Sequence, residues 1–179
     1  MLTLSLLRHA KSSWSDARLK DFDRPLNERG LKAAPRMGTF LARRRLTPGL
    51  VLCSPAVRAR QTLKLVRPAF KPGPDIVYEA ALYLAAPRAM LKRIREVGAD
   101  VRHLMLVGHN PGLQELALEL AGSGPTKELE ALAQKLPTAA LVVLSFEAES
   151  WARVKPGAGR LEVFTSPKQL EEEEMERSQ

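Results

Sequence analysis

Cysteine occurs once, at Cys53, in a chain of 179 residues. A lone thiol excludes an intramolecular disulfide framework, and a reducing, cytoplasmic setting is the expectation. Only three histidines are present, at positions 9, 103 and 109. Scattered as they are, with one cysteine, they cannot build a structural zinc site, so no metal or cofactor is expected. Aromatic residues make up 5% of the chain, with no interleaving of basic and aromatic side chains of the kind that stacks single-stranded bases. Nucleic acid is therefore not an expected partner. No apolar run approaches the roughly 18–20 residues that a membrane span needs. The apolar N-terminus lacks a preceding basic segment and is interrupted by Arg8, which makes a poor signal peptide. A glycine-rich loop carrying a lysine, the mark of many nucleotide sites, is missing as well.

What the chain does have is an ordinary 45% of hydrophobic residues and a net charge of +8. The segment Pro167–Gln179 holds five glutamates against Lys168 and Arg177, so residues 1–166 carry +11. An excess of that size attracts anions without choosing among phosphorylated small molecules, acidic proteins and nucleic acid. The acidic segment 167–179 reads as a disordered tail beyond a single domain, 1–166.

Leu2, Leu4, Leu6 and Leu7 form a short apolar run ending in Arg8-His9, which reads as a buried strand delivering a cation and an imidazole to its carboxyl end. A polar loop, Ser12 to Pro25, carries Asp16, Asp21 and Asp23. Asn27 is positioned to cap a helix from Glu28 to about Arg45, in which Pro35 should produce a kink. Gly49–Ser54 reads as a second strand, and Ser54-Pro55 as a cap followed by proline at the first helical position. Ile76–Tyr78 is a third strand and Pro87–Val97 a helix. His103–Val107 is a further strand, followed by Gly108-His109-Asn110-Pro111-Gly112, with Asn110 as the cap of the next helix. Lys127–Leu136 is helical in pattern, Ala139–Phe146 is the longest β-type run, and Trp151–Val154 with Leu161–Phe164 reads as an edge hairpin. Strands alternating with helices imply an α/β fold, a mostly parallel central sheet covered on both faces.

In such a sheet Arg8-His9, Ser54 with Arg58 one turn further on, and His109 all reach one edge, where two helix N-termini also point. Two guanidinium groups, two imidazoles and two helix ends around one point suit a tetrahedral dianion. Leu7-Arg-His-Ala10, Ser54-Pro-Ala-Val-Arg-Ala-Arg-Gln-Thr62 and Val107-Gly-His-Asn-Pro-Gly-Leu113 together resemble the histidine phosphatase superfamily, of the phosphoglycerate mutase-like α/β/α sandwich fold. Pro25-Leu-Asn-Glu-Arg-Gly30 resembles that superfamily's helix-opening motif, and Ala10-Lys-Ser-Ser-Trp14 with His-Asn-Pro-Gly points to its SixA-like branch of phosphohistidine phosphatases. The resemblance implies that His9 is the phosphorylated nucleophile and that Arg8, Arg58 and His109 bind the phosphoryl oxygens. Ser12, Ser54 and Asn110 are candidates for further substrate contacts.

One departure bears on the substrate. Where many monoesterase members carry an acidic proton donor, this chain reads Tyr78-Glu-Ala-Ala-Leu-Tyr-Leu84, with Glu79 early and leucine at position 84. An alkoxide leaving group must be protonated, whereas an imidazole, with a pKa of about 6.5, leaves far more easily. The expected substrate is accordingly phosphohistidine on a protein, with Asp16, Asp21 or Asp23 as candidate proton donors. A phosphomonoesterase acting on a small metabolite and a non-catalytic module that binds phosphoproteins stay open as alternatives. Cys53 does not open a Cys-x5-Arg phosphatase loop, since position 59 is Ala59. The sequence does not address oligomeric state.

Overall fold

The computed structural model describes all 179 residues. Its centre is strand β1 (Leu2–Arg8), and the remaining strands are β2 (Leu50–Cys53), β3 (Asp75–Tyr78), β4 (His103–Gly108), β5 (Ala121–Ser123), β6 (Leu141–Phe146) and β7 (Gly159–Thr165). They form one sheet in the order β3-β2-β4-β1-β6-β7-β5. From β3 to β1 every pairing is parallel, while β6 runs antiparallel to β1 and to β7. The sheet is thus mostly parallel, with an antiparallel wing.

The period-two alternation of β1 sends its side chains into two cores. Leu2, Leu4 and Leu6 pack with helices α3 (Pro87–Arg95), α4 (Gly112–Leu120) and α5 (Thr126–Gln134) on one face. Leu7 joins α1 (Glu28–Arg43) and α2 (Val57–Val66) on the other. All four leucines are fully buried, and each stabilises the fold by roughly 1.5–3 kcal/mol relative to exposure. The result is the expected α/β/α sandwich.

Asn27 caps α1 as its residue type predicts, accepting a hydrogen bond from the Gly30 N–H at 2.9 Å. The helix runs unbroken through Pro35. Pro35 is exposed, as is Leu31, whose carbonyl loses its usual donor, so water can take that donor's place.

Four expectations need correction. The acidic segment is not disordered: Pro167–Arg177 forms helix α6, capped by Ser166, which accepts from the Gln169 N–H, and anchored by buried Leu170. Charge composition alone suggested disorder; a serine-proline start, glutamates that favour helix and one buried leucine outweigh it. Trp151–Arg153 is a 3₁₀ turn rather than a hairpin arm, its indole donating to the Val101 carbonyl at 2.6 Å. β7 pairs instead with the available edge of β6. Helix α2 starts at Val57 with Ala56 at its cap, so Ser54-Pro55 stays outside it. Asn110 does not cap α4, since Pro111 takes that position.

Candidate active site

Register gathers the site. Arg8 lies opposite Gly108, and Cys53 opposite Val107, so the residues that follow leave the sheet at one level. His9 N–H then bonds the Gly108 carbonyl and Ser54 N–H the Val107 carbonyl, each at 3.0 Å. The rings of His9 and His109 stand 5.2 Å apart, and the Arg58 Nε lies 3.3 Å from His9 Nε2. His9, Ser54, Arg58 and His109 are all buried, and Arg8 is half-buried.

The hydrogen bonds fix the tautomer of His9. Its Nδ1 is 2.7 Å from the Ala10 carbonyl, which can only accept, so Nδ1 carries the proton. The lone pair is left on Nε2, facing Arg58. Burial above all, then the nearby His109, Arg58 and Arg8, lower the His9 pKa to about 3 despite the Ala10 bond. Burial and Arg58 lower that of His109 to about 4. Both imidazoles are therefore neutral near pH 7. Burial, reinforced by Arg58, also lowers the Arg8 pKa.

The surrounding loops hold this geometry. Thr62 accepts from the Ala10 N–H at 2.9 Å and donates to the Arg58 carbonyl at 2.7 Å, tying the turn after β1 to α2. Gln61 accepts from the Leu26 N–H. Gly30 is required where α1 passes the same turn, because a Cβ there would strike the Lys11 carbonyl. Arg8 donates through Nη1 to the Leu136 carbonyl at 2.9 Å, while its buried Nε has no partner in the protein. His109 Nε2 lies 2.6 Å from Ser54 Oγ, and its buried Nδ1 is likewise unpartnered. If the Ser54 hydroxyl donates to Nε2, both unpartnered atoms are N–H donors, as an oxyanion site requires.

The three loop aspartates separate. Asp16 pairs with Arg18 at the surface and Asp23 is exposed. Asp21 enters the site: its carboxylate accepts from the Tyr83 hydroxyl, from Arg58 Nη2 at 3.0 Å and from Arg24, and its carbonyl accepts from Arg58 Nη1 at 2.6 Å. The Tyr83 hydrogen bond, then Arg58 and Arg24, lower the Asp21 pKa to about 2. Glu79 is engaged by Arg93 through both carboxylate oxygens. Ser12 accepts from Arg24 Nη1 at 2.8 Å. Asn110 donates to the Leu136 carbonyl and leaves its own oxygen unpartnered, a poor group to face an anion.

Tyr83 and Arg24 escaped the sequence reading. Tyr83 packs edge-on against His109 at 5.4 Å and against Phe22 at 5.0 Å. Its signal was present: it is the lone aromatic among four alanines in the turn after β3, and a parallel β3 must end at the same edge as β2. Arg24 is buried and stacks on Trp14. No group of three or more His, Cys, Asp or Glu side chains is arranged to hold a metal ion.

Residues 4–83 match the model of the histidine phosphatase superfamily (branch 1). An uncharacterized protein of Mycobacterium tuberculosis is 39% identical over 166 residues, which span 90% of this chain and all of the relative. The crystal structure of a candidate phosphohistidine phosphatase SixA from Agrobacterium tumefaciens is 36% identical with a TM-score of 0.79, covering 93% of this chain and 98% of that one. A second SixA candidate, from Nakamurella multipartitia, is 27% identical with a TM-score of 0.78, covering 93% and 96%.

Proposed function

Because the chain belongs to the histidine phosphatase superfamily, we propose that it is a metal-independent phosphatase that passes through phospho-His9 and hydrolyses phosphohistidine on a protein. The observation that carries the proposal is the state of His9: neutral, its Nδ1 proton held by Ala10 and its Nε2 lone pair beside Arg58. In the first step Nε2 attacks phosphorus in line and the bond from phosphorus to the leaving nitrogen breaks; the departing ring, protonated from solvent on its other nitrogen, takes the electron pair and leaves as neutral imidazole. Arg8, Arg58 and His109 donate to the equatorial oxygens as charge spreads over them. In the second step water attacks phospho-His9, releasing inorganic phosphate and restoring the Nε2 lone pair.

The choice of substrate rests on the leaving group. Asp21 is ionised near pH 7 and has no proton to give, so its part is to hold Arg58. Asp16, Asp23 and Glu79 are occupied elsewhere or exposed. A site without a carboxylic acid favours a substrate whose leaving group takes its proton from solvent, and an imidazole, whose far nitrogen is protonated at about pH 6.5, qualifies. The SixA names of the two solved relatives point the same way.

Rapid-quench labelling tests the proposal. A phosphohistidine peptide should turn over much faster than p-nitrophenyl phosphate and leave an acid-labile, base-stable label on His9 that His9→Ala abolishes. Faster turnover of the ester would replace the substrate assignment with a phosphomonoesterase. Binding without label would leave a phosphoprotein-binding module.

A further inference from the structure

Beside the phosphoryl site the surface opens into a second, strongly charged groove of about 770 Å³. Of its thirteen lining residues seven are lysine or arginine and only Glu171 is acidic, and Arg36 already pairs with Glu171. Arg8 forms the inner end and belongs to both sites. Lys11 comes from the turn after β1, Arg29 and Lys32 from α1, Lys135 from the segment leading into β6, and Lys168 from the first turn of α6. These five are exposed, and none pairs with an acid of its own chain. The charge is structural in origin: Gly30 lets α1 close on the Lys11 turn, and the docking of α6 adds Lys168 across from it.

We infer that this groove docks an acidic stretch of the phosphorylated protein itself, next to the phosphohistidine, so that carboxylates of the partner lie along the cations leading away from Arg8. The inference rests on the phosphohistidine-protein reading for its partner. Arg8 lines the groove and belongs to the phosphoryl site, so residues next to a phosphoryl group presented to His9 are within reach of the groove. Five uncompensated cations repel one another, and a partner's carboxylates relieve that repulsion while steering association. A nucleic acid fits less well, because the lining contains no aromatic side chain on which a base could stack.

The test uses two synthetic phosphohistidine peptides, one flanked by aspartate and glutamate, the other by serine and glutamine at the same positions, with phosphoimidazole as a small reference substrate. Wild-type protein should show a KM about tenfold lower for the acidic peptide, the order expected from three exposed charge contacts. The preference should vanish at high salt and in the triple variant Arg29→Gln, Lys32→Gln, Lys168→Gln, while kcat and phosphoimidazole turnover stay unchanged. Equal KM values for the two peptides, or a preference that survives in the variant, would overturn the inference and leave the proposed function standing. If neither peptide nor phosphoimidazole is turned over, the catalytic reading fails. Binding of the unphosphorylated acidic peptide, followed by fluorescence anisotropy, then decides the groove by itself: about tenfold loss in the variant supports it, no loss rejects it. A single-stranded oligonucleotide that displaces the acidic peptide at lower concentration would assign the groove to nucleic acid instead.

Discussion

The two halves of the sheet divide the work. The turns after the parallel strands β1, β2, β3 and β4 bring His9, Ser54, Arg58, Tyr83 and His109 to one edge. The antiparallel wing of β6 and β7 brings mainly bulk: Phe146 and Trp151 are among the largest fully buried side chains. Its contributions to the site are main-chain ones, with the Leu136 carbonyl holding Arg8 and Asn110, and Ala139 N–H bonding the His9 carbonyl. The difference follows from strand direction. Parallel neighbours end at the same edge, so short motifs far apart in sequence converge without further machinery. An antiparallel neighbour starts at the edge where its partner ends, and β6 brings to that edge the main-chain groups of its entering segment.

Two substitutions would break this contrast if their effects were exchanged. His9→Ala should lower kcat on the order of 10⁴-fold or more, the loss seen when a covalent nucleophile is removed, with a thermal midpoint close to that of the unchanged protein. Trp151→Ala should do the reverse. Its side chain is fully buried and its indole N–H satisfies Val101, so denaturant titration should show a loss of about 3–5 kcal/mol. The fraction that stays folded should keep its kcat.

Acid sharpens the comparison at the level of single imidazoles. Burial lowers His9 to about 3, and His103 and His109 to about 4, all below the ordinary 6.5. Between those limits the unfolded chain binds protons that the folded chain refuses, so stability is full above about pH 6.5 and falls as pH drops. At pH 5 the loss approaches about 2 kcal/mol per imidazole. His103 lies outside the site, beside Ser5 at the amino end of β4. His103→Gln should therefore remove one share of the acid sensitivity and leave activity intact, whereas His9→Gln removes a similar share and activity with it. Denaturant midpoints at pH 7 and pH 5 for the three proteins check this. A midpoint in the unchanged protein that does not move between the two pH values would show that the imidazoles are not held neutral by the fold.

The parallel half was also the more readable in the sequence, for the same reason. Arg8-His9, Ser54 to Thr62 and Val107 to Leu113 each join a buried run to a polar turn, and the side chains that carry them had nowhere else to go. Tyr83 was passed over because its role depends on where β3 ends and on Asp21 reaching it across the site, and neither has a local signature. Asp21 could not be told from Asp16 and Asp23 by residue type. The three separate only when Arg58 and Arg24 are seen around one of them. On the antiparallel side, Trp151 and Leu161 have strand-like neighbours, but which edge a strand joins is a tertiary choice, and β6 offered the better one. The acidic segment misled because net charge says nothing about one leucine that finds a core.

That segment supplies the smallest and most discriminating effect. Helix α6 touches α1 through the Arg36–Glu171 ion pair and through Leu170 in the core. The ion-pair side chains are 33% and 57% exposed, so water and salt screen them, and a double-mutant cycle with Arg36→Ala and Glu171→Ala should give a coupling below about 1 kcal/mol. Leu170 is 6% exposed and its burial does not depend on ionic strength. Amide protection along Pro167–Arg177 should accordingly persist in molar salt and collapse in Leu170→Ala. Loss of protection on adding salt would mean that the helix is held by charge rather than by its one buried leucine.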